Sequence, residues 1–304
     1  MHVMSAKAVT GAPTGERDGD LTLADGRTLT YATLGADAGP TVVVLDGPCS
    51  RGLARAAAPA AIALGIRLVA PDRPGAGGST PAPQRALTDW PADHAALLDA
   101  LGVERAGVLA QSGGTPFALA VGAALAPRTS GLAFLGAVAP LDDPATFAET
   151  GRQLRTALTL ARRAPWLLRL GLRASSRGAR RNPERAARRF VKGIPSADAR
   201  ELADPALWAL HVRATAEILA RPDGFADEVR LLSAPWGVDP AAIRVPAALW
   251  SGAEDTIHPT AHSRRLAALM GGAPVTVVPG TATFGLLPRY PDALRFALGR
   301  TPAA

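Results

Sequence analysis

The stretch Gly107-Val-Leu-Ala-Gln-Ser112-Gly-Gly constrains the fold more than any other part of the chain. Its aliphatic run reads as a strand and breaks at a serine beside small residues. A helix-spaced pattern, Thr115–Leu125, begins at once. A strand delivered this abruptly into a helix is the repeating unit of a parallel sheet layered with helices. The small residues Ala110 and Gly114 let strand and helix approach without a side-chain clash, which leaves the serine hydroxyl projecting above the sheet.

The same alternation runs along most of the chain. Strands are expected at Leu21–Leu23, Thr28–Leu34, Thr41–Leu45, Arg67–Ala70, Gly107–Ala110, Gly131–Ala137, Ala247–Trp250 and Val275–Val278. Several are continuous aliphatic or β-branched runs, as strands buried on both faces are. Helix-spaced apolar residues mark Ala54–Leu64, Asp89–Leu101, Thr115–Leu125, Thr260–Met270 and Pro291–Leu298. In the second of these, Trp90, Leu97, Leu98 and Leu101 share a face, with Thr88 or Asp89 as N-cap and Pro91 in the first turn.

The alternation stops at Pro140 and resumes near Val245. Between them Thr146–Leu172, Asn182–Val191 and Ser196–Ala220 are helical patterns broken by Pro165, Pro183, Pro195, Pro222 and Pro235. The expected organisation is a disordered leader over residues 1–19, an α/β core over residues 20–140 and 238–304, and an all-helical cap over residues 141–237. Such a cap would cover the strand ends, where ligands bind in open α/β folds. Trp166, Leu167, Leu168 and Trp208 are expected as its packing residues.

Hydrophobic content of 48% and charged content of 19% over 304 residues describe a globular chain able to bury a substantial interior. The N-terminal segment has no apolar run of signal-peptide length, and no stretch approaches the roughly 18 apolar residues that span a bilayer. A cytoplasmic protein without a membrane partner is expected. Cys49 is the single cysteine, which excludes an internal disulfide and argues against a cysteine-based metal site. Neither metal nor cofactor is expected. Residues 151–200 hold thirteen arginines and Lys192 against Glu184 and Asp198, twelve surplus positive charges in a chain whose net charge is +7. No aromatic residues interleave this run as base stacking would want, so it reads as exposed helix faces and not as a nucleic-acid surface. The expected partner is a small-molecule substrate, with a homodimer left open.

Three segments together resemble the α/β-hydrolase superfamily, in particular its small-molecule hydrolases with a helical cap after the sixth strand. Ile66-Arg-Leu-Val-Ala-Pro-Asp72-Arg-Pro-Gly-Ala-Gly-Gly-Ser79 is similar to the family's strand and following Asp-x-x-Gly-x-Gly-x-Ser turn. Ala110-Gln111-Ser112-Gly113-Gly114 matches its small-x-Ser-x-small nucleophile motif, and Leu249-Trp-Ser-Gly-Ala-Glu-Asp255 the strand that carries the triad acid. The resemblance extends from about Leu21 to Leu298. It implies a mostly parallel eight-stranded sheet with helices on both faces, Ser112 as nucleophile, Asp255 as acid, and the Gly113 N–H as an oxyanion donor at a helix start.

Two departures stand against ordinary hydrolysis. The family's histidine follows the last strand in a Gly-x-Gly/Ala-His-Phe loop, and the matching segment is Gly280-Thr281-Ala282-Thr283-Phe284. Thr283 holds the place of the base, and none of the five histidines (His2, His94, His211, His258, His262) lies beyond position 262. The family's His-Gly oxyanion segment is replaced by Asp46-Gly47-Pro48-Cys49, where Pro48 has no N–H to donate. Losing the base costs on the order of 10⁴–10⁶ in turnover and losing one oxyanion donor about 10²–10³.

The residues therefore favour a cofactor-free, non-hydrolytic proton-transfer reaction on a small apolar molecule: cyclisation, dehydration, isomerisation, or opening of an epoxide or lactone. Asp46 and Asp255 would serve as acid and base and Ser112 as a positioning hydroxyl, with Gly47, Gly113, Gln111, Cys49, Thr283 and Phe284 around them. The resemblance suggests specialised metabolism as a setting. Alternatively, Asp46 hydrogen-bonds nearby backbone and Asp255 only accepts from Thr283. A second alternative is a serine esterase or lactonase with a relocated base. His258, three residues past Asp255, is the candidate, although a histidine beside Pro259 at a helix start is more often a capping or surface residue. A third is a non-catalytic small-molecule binding protein. His211 is a candidate pocket residue, whereas His94 and His262 lie on amphipathic helices and read as solvent-facing or packing.

Overall fold

The computed structural model describes residues 15–47 and 49–300. The strands are β1 (Arg17–Thr22), β2 (Thr28–Gly35), β3 (Thr41–Leu45), β4 (Arg67–Pro71), β5 (Ala106–Ser112), β6 (Thr129–Ala137), β7 (Ala247–Gly252) and β8 (Val275–Val278). They form one sheet in the order β1-β2-β4-β3-β5-β6-β7-β8. β1 pairs antiparallel with β2 and β2 with β4; every other pairing is parallel.

Helices α1 (Gly52–Ala63), α2 (Trp90–Ala100) and α3 (Thr115–Ala124) cross between the first parallel strands. Seven more follow β6 before the chain returns to the sheet at β7: α4 (Pro144–Glu149), α5 (Arg152–Arg163), α6 (Pro165–Arg181), α7 (Pro183–Phe190), α8 (Ser196–Glu201), α9 (Pro205–Ala220) and α10 (Pro222–Ser233). α11 (Thr260–Leu269) and α12 (Tyr290–Ala297) complete the core. Prolines read as breaks are the first residues of new helices: Pro165, Pro183 and Pro222 open α6, α7 and α10, where the missing N–H costs nothing. No helix among the described residues is long and apolar enough to cross a membrane.

Alternating side chains on the central strands feed two separate cores. Val43, Leu45, Val69, Val108 and Phe134 pack against α2 and α3 through Leu97, Leu98, Phe117 and Leu119. Their neighbours Val42, Val44, Leu68, Leu109 and Leu135 face α1 and α12, whose Ala57, Ala61, Ala293 and Leu294 are wholly buried. Burial on both faces is what the unbroken aliphatic runs foretold.

Four expectations need correction. β1 begins at Arg17, so Arg17–Gly19 belong to the sheet and not to a leader; residues 1–14 of that leader lie outside the described residues. β1 is an edge strand with mostly exposed, charged residues, so it carries no apolar run for its first half. Trp166 and Leu167 do not pack the cap: they are 67% and 41% exposed, while Leu168 between helix turns is buried. α10 was absent from the helical patterns because its apolar residues are interrupted by Asp223, Asp227, Glu228 and Arg230. Three of those, Asp227, Glu228 and Arg230, instead make polar contacts that tie the cap together and to the core.

The strongest tie is buried. Glu228 accepts from Arg73 at 3.2 Å and from Arg85 at 2.5 Å, and the Arg73 guanidinium lies 4.5 Å over the Phe117 ring. The Asp72–Ser79 turn is held by its own polar groups: the Ser79 hydroxyl donates to the Asp72 carbonyl at 2.6 Å, and the Asp72 carboxylate pairs with Arg51 at 2.7 Å.

Candidate active site

Ser112 ends β5 with φ at +50°, a left-handed conformation that a residue with a Cβ adopts only at a cost of about 1 kcal/mol or more. A bulge between Gln111 and Ser112 in the β5–β6 pairing accompanies it. Gly114 is required immediately after, because any Cβ there would run into the Leu45 carbonyl oxygen of β3. The result is a hydroxyl lifted clear of the sheet and presented to a cavity beneath the cap.

The Ser112 Oγ lies 2.7 Å from His258 Nε2. This overturns the expectation that the serine has no imidazole partner. The local sequence explains the placement. Asp255 Oδ1 accepts the backbone N–H groups of Ile257 and His258, both at 2.8 Å, which winds the loop after β7 into a tight turn. Pro259 then holds His258 out of helical conformation before α11 begins, and the Thr260 hydroxyl ties back to the Gly252 carbonyl at 3.2 Å. The ring is buried, not a surface cap.

Asp255 Oδ2 accepts the Thr283 hydroxyl at 2.6 Å and stands 3.8 Å from His258 Nδ1. That second separation is an ion-pair distance, too long for a hydrogen bond, and Nδ1 has no hydrogen-bond partner among the described residues. Burial alone would raise the Asp255 carboxyl, but the neighbouring His258, the Thr283 hydroxyl and the backbone donors outweigh it and hold the group below the ordinary carboxylate range. Asp255 is therefore an anion facing Nδ1, which favours the proton on Nδ1 and leaves Nε2 to accept from Ser112.

The contact between Asp255 and Thr283 was only the alternative reading of the sequence, which favoured a free Asp255 carboxylate and gave the imidazole too little weight. The signal was the Asp-x-x-His-Pro spacing itself, since an Asp that caps its own turn brings the third following residue back over its carboxylate. Gly136 was missed altogether. It adopts φ +55° in β6, and a Cβ there would lie 3.7 Å from Asp255 Oδ2 and 3.8 Å from His258 Nδ1.

The cavity measures about 760 Å³ and is lined by Ser112, His258, Gln111, Gly113, Gly47, Asp46, Thr283 and Phe284, with cap residues above. Leu141, Leu172, Leu207, Phe190, Ile218 and Phe225 supply much of its apolar wall. His211 is part of the lining and meets the Phe284 ring edge-on at 5.5 Å. His94 and His262 are buried in the packing and line nothing here. Asp198 of α8 accepts the Phe284 N–H at 2.8 Å and so anchors the loop that carries Thr283; a lone acidic residue in the cap gave no hint of this.

Asp46 Oδ2 accepts the Ser50 hydroxyl at 2.7 Å and the Leu53 N–H at 3.1 Å, at the start of α1. Burial pushes its carboxyl up to about 6 against these donors and Arg73. Gly47 sits main chain to main chain with Gly113, so close that a Cβ on Gly47 would strike the Gly113 backbone. Pro48 lies outside the described residues. Cys49, expected near the oxyanion loop, instead lines a separate cleft with Arg51, Asp72 and Asp18. Arg73 reaches its Sγ at 3.6 Å, yet burial and Glu228 push the thiol far up, which makes it inert as a nucleophile. Among the described residues no cluster of His, Cys, Asp and Glu is arranged to hold a metal ion.

A strained serine turn, an imidazole and a carboxylate thus meet at the strand ends, under helices inserted after β6. The chain belongs to the α/β hydrolase fold family, whose sequence profile matches residues 40–288. In structure it is similar to a hydrolase from Pseudomonas aeruginosa PA01, at 22% identity and a TM-score of 0.68, covering 93% of this chain and 98% of that one. It is also similar to the enol-lactonase from Burkholderia xenovorans LB400, at 19% identity and 0.65, covering 92% and 99%. Epoxide Hydrolase A from Mycobacterium thermoresistibile follows at 21% and 0.63, covering 92% and 98%. At these identities the likeness establishes a shared fold. No curated protein matches the chain in sequence.

Proposed function

We infer that the protein is a serine hydrolase of small carboxylic esters or lactones, with Ser112 as nucleophile, His258 as base and Asp255 as the group that orients it. The observation that carries this reading is the 2.7 Å contact between Ser112 Oγ and His258 Nε2. A serine at neutral pH attacks a carbonyl only if its proton is removed as it does so. Here Nε2 takes that proton, the Ser112 oxygen bonds to the carbonyl carbon, and the imidazolium that forms faces the Asp255 anion. The same proton then passes to the leaving alkoxide. Water, deprotonated by His258, releases the acid from the acyl-enzyme.

The oxyanion of each tetrahedral intermediate is assigned to the Gly113 N–H, at the turn that leads into α3. The structural likeness to the enol-lactonase, and to an N-acyl homoserine lactone degrading enzyme, supports lactones as substrates. The mostly apolar cavity fits an acyl chain.

Hydrolysis of p-nitrophenyl butyrate and of γ- and δ-lactones by the wild type, Ser112→Ala and His258→Ala proteins tests the reading. Turnover by the wild type, abolished in both variants, is expected. Turnover that survives His258→Ala undiminished overturns the assignment of the base.

A further inference from the structure

Arg181, Arg185 and Arg189 all line the catalytic cavity, from the end of α6 and along α7. Arg185 and Arg189, four residues apart in α7, set like charges side by side at a cost in stability, and Arg181 precedes them across the extended Asn182. Elsewhere the cap provides the offset: Arg169 pairs with Asp227 at 2.6 Å, Arg173 with Asp223 at 3.1 Å and Arg188 with Glu184 at 2.7 Å. None of the three cavity arginines has a carboxylate partner among the described residues. Asp46 is the single acidic residue in the cavity lining, and its carboxylate is already engaged by Ser50 and Leu53.

The charges also sit in a particular relation to the chemistry. The same cavity runs from Ser112 and His258 along an apolar wall that includes Leu154, Leu172, Phe190 and Leu207, and the exposed Arg181, Arg185 and Arg189 line it from the cap. Guanidinium groups present planar forks of donors matched to carboxylate and phosphate oxygens. A purely apolar substrate would leave this end of the cavity unmatched.

We propose that Arg181, Arg185 and Arg189 form an anion-recognition subsite, so that the substrate is an ester or lactone with a carboxylate or phosphate group set apart from the scissile carbonyl by an apolar segment. This rests on the hydrolase reading for the chemistry but not for the binding. The Arg-rich run of the cap is mostly exposed, as read from sequence, and these three of its arginines also line the cavity.

Two measurements test the subsite separately from the reaction. In the first, kcat/KM for the p-nitrophenyl monoesters of succinate, glutarate and adipate is compared with that for the neutral butyrate, valerate and hexanoate esters. The expected preference for the anionic series is about tenfold or more, carried in KM, reduced by salt, and removed in Arg185→Met/Arg189→Met. In the second, hexanoate, hexyl phosphate and hexanol are titrated by calorimetry into the Ser112→Ala protein, with circular dichroism as the check on folding. The anions bind about tenfold tighter than the alcohol, the double substitution removes the difference, and the tighter anion identifies the group. Equal binding of the three ligands, or anion binding unchanged by the substitutions, overturns the proposal. Absence of ester hydrolysis with anion binding intact defeats the hydrolase reading alone.

Discussion

The Thr283 hydroxyl donates to Asp255 Oδ2 at 2.6 Å, on the same carboxylate oxygen that His258 Nδ1 approaches to 3.8 Å. A threonine thus stands where the family resemblance leads one to expect the base, while the base comes from the turn that the acid itself caps. The roles of carboxylate and hydroxyl are separable by substitution. Asp255→Ala removes the anion that faces the imidazole and is expected to lower kcat/KM by about 10³–10⁴. Thr283→Ala removes one of several donors to a carboxylate that keeps its two backbone N–H bonds, and the expected loss is less than about tenfold. Steady-state kinetics on both variants checks this; equal losses would mean that Thr283, not the carboxylate, positions His258.

Gly136 holds φ +55° directly beneath the Asp255–His258 pair. Gly136→Ala is expected to lower stability by about 1–2 kcal/mol through backbone strain, and to reduce kcat because relief of that strain shifts β6 beneath both groups. Urea denaturation and kinetics read the two effects, and an alanine variant as stable and as active as wild type would remove Gly136 from the account.

Asp46 sets a pH dependence of stability whose sign follows from burial. Burial raises its carboxyl to about 6 in the folded protein, from an ordinary aspartate value near 3.8. The stabilisation this gives is fully present below the unfolded value and lost as pH rises through the folded one. Between pH 4 and 8, Asp46→Asn should therefore gain stability relative to wild type by on the order of 2–3 kcal/mol, since asparagine keeps an acceptor for Ser50 and Leu53 without a charge. Denaturant melts at both pH values measure the difference; a constant offset would show that Asp46 does not titrate as its burial dictates.

Glu228 is nearly wholly buried between Arg73 and Arg85 and joins α10 of the cap to the core. Glu228→Ala leaves two buried guanidinium groups without a counter-charge, for an expected loss of about 3–5 kcal/mol. Chemical denaturation tests this, and a loss below about 1 kcal/mol would show that the network is not what fastens the cap.

The centre of the sheet was legible because its strands are buried on both faces: Thr41–Leu45 reads directly as an aliphatic run, is buried at every residue and matches the strand found; the edge strand Val275–Val278 also matches, although only Val278 is buried. β1 was half hidden, being an edge whose side chains face water. Ser112 and Asp255 could be placed because their positions depend on local chain geometry, a strained turn and a strand end. His258 could not be weighed correctly from sequence. Its direction depends on the Asp255 cap and on the height of Ser112 above the sheet, two facts 146 residues apart. Which cap arginines pair with an acid from α10 and which line the cavity was equally hidden, since tertiary packing decides it.

Labelling with a fluorophosphonate probe tests the Ser112–His258 pair most directly, because it reads the reactivity of the serine without knowledge of the substrate. Wild-type protein should label at Ser112, as mapped by mass spectrometry, and labelling should fall by at least about 10³ in His258→Ala while the fold persists. Undiminished labelling of that variant, or a wild-type serine inert to the probe, would contradict the account.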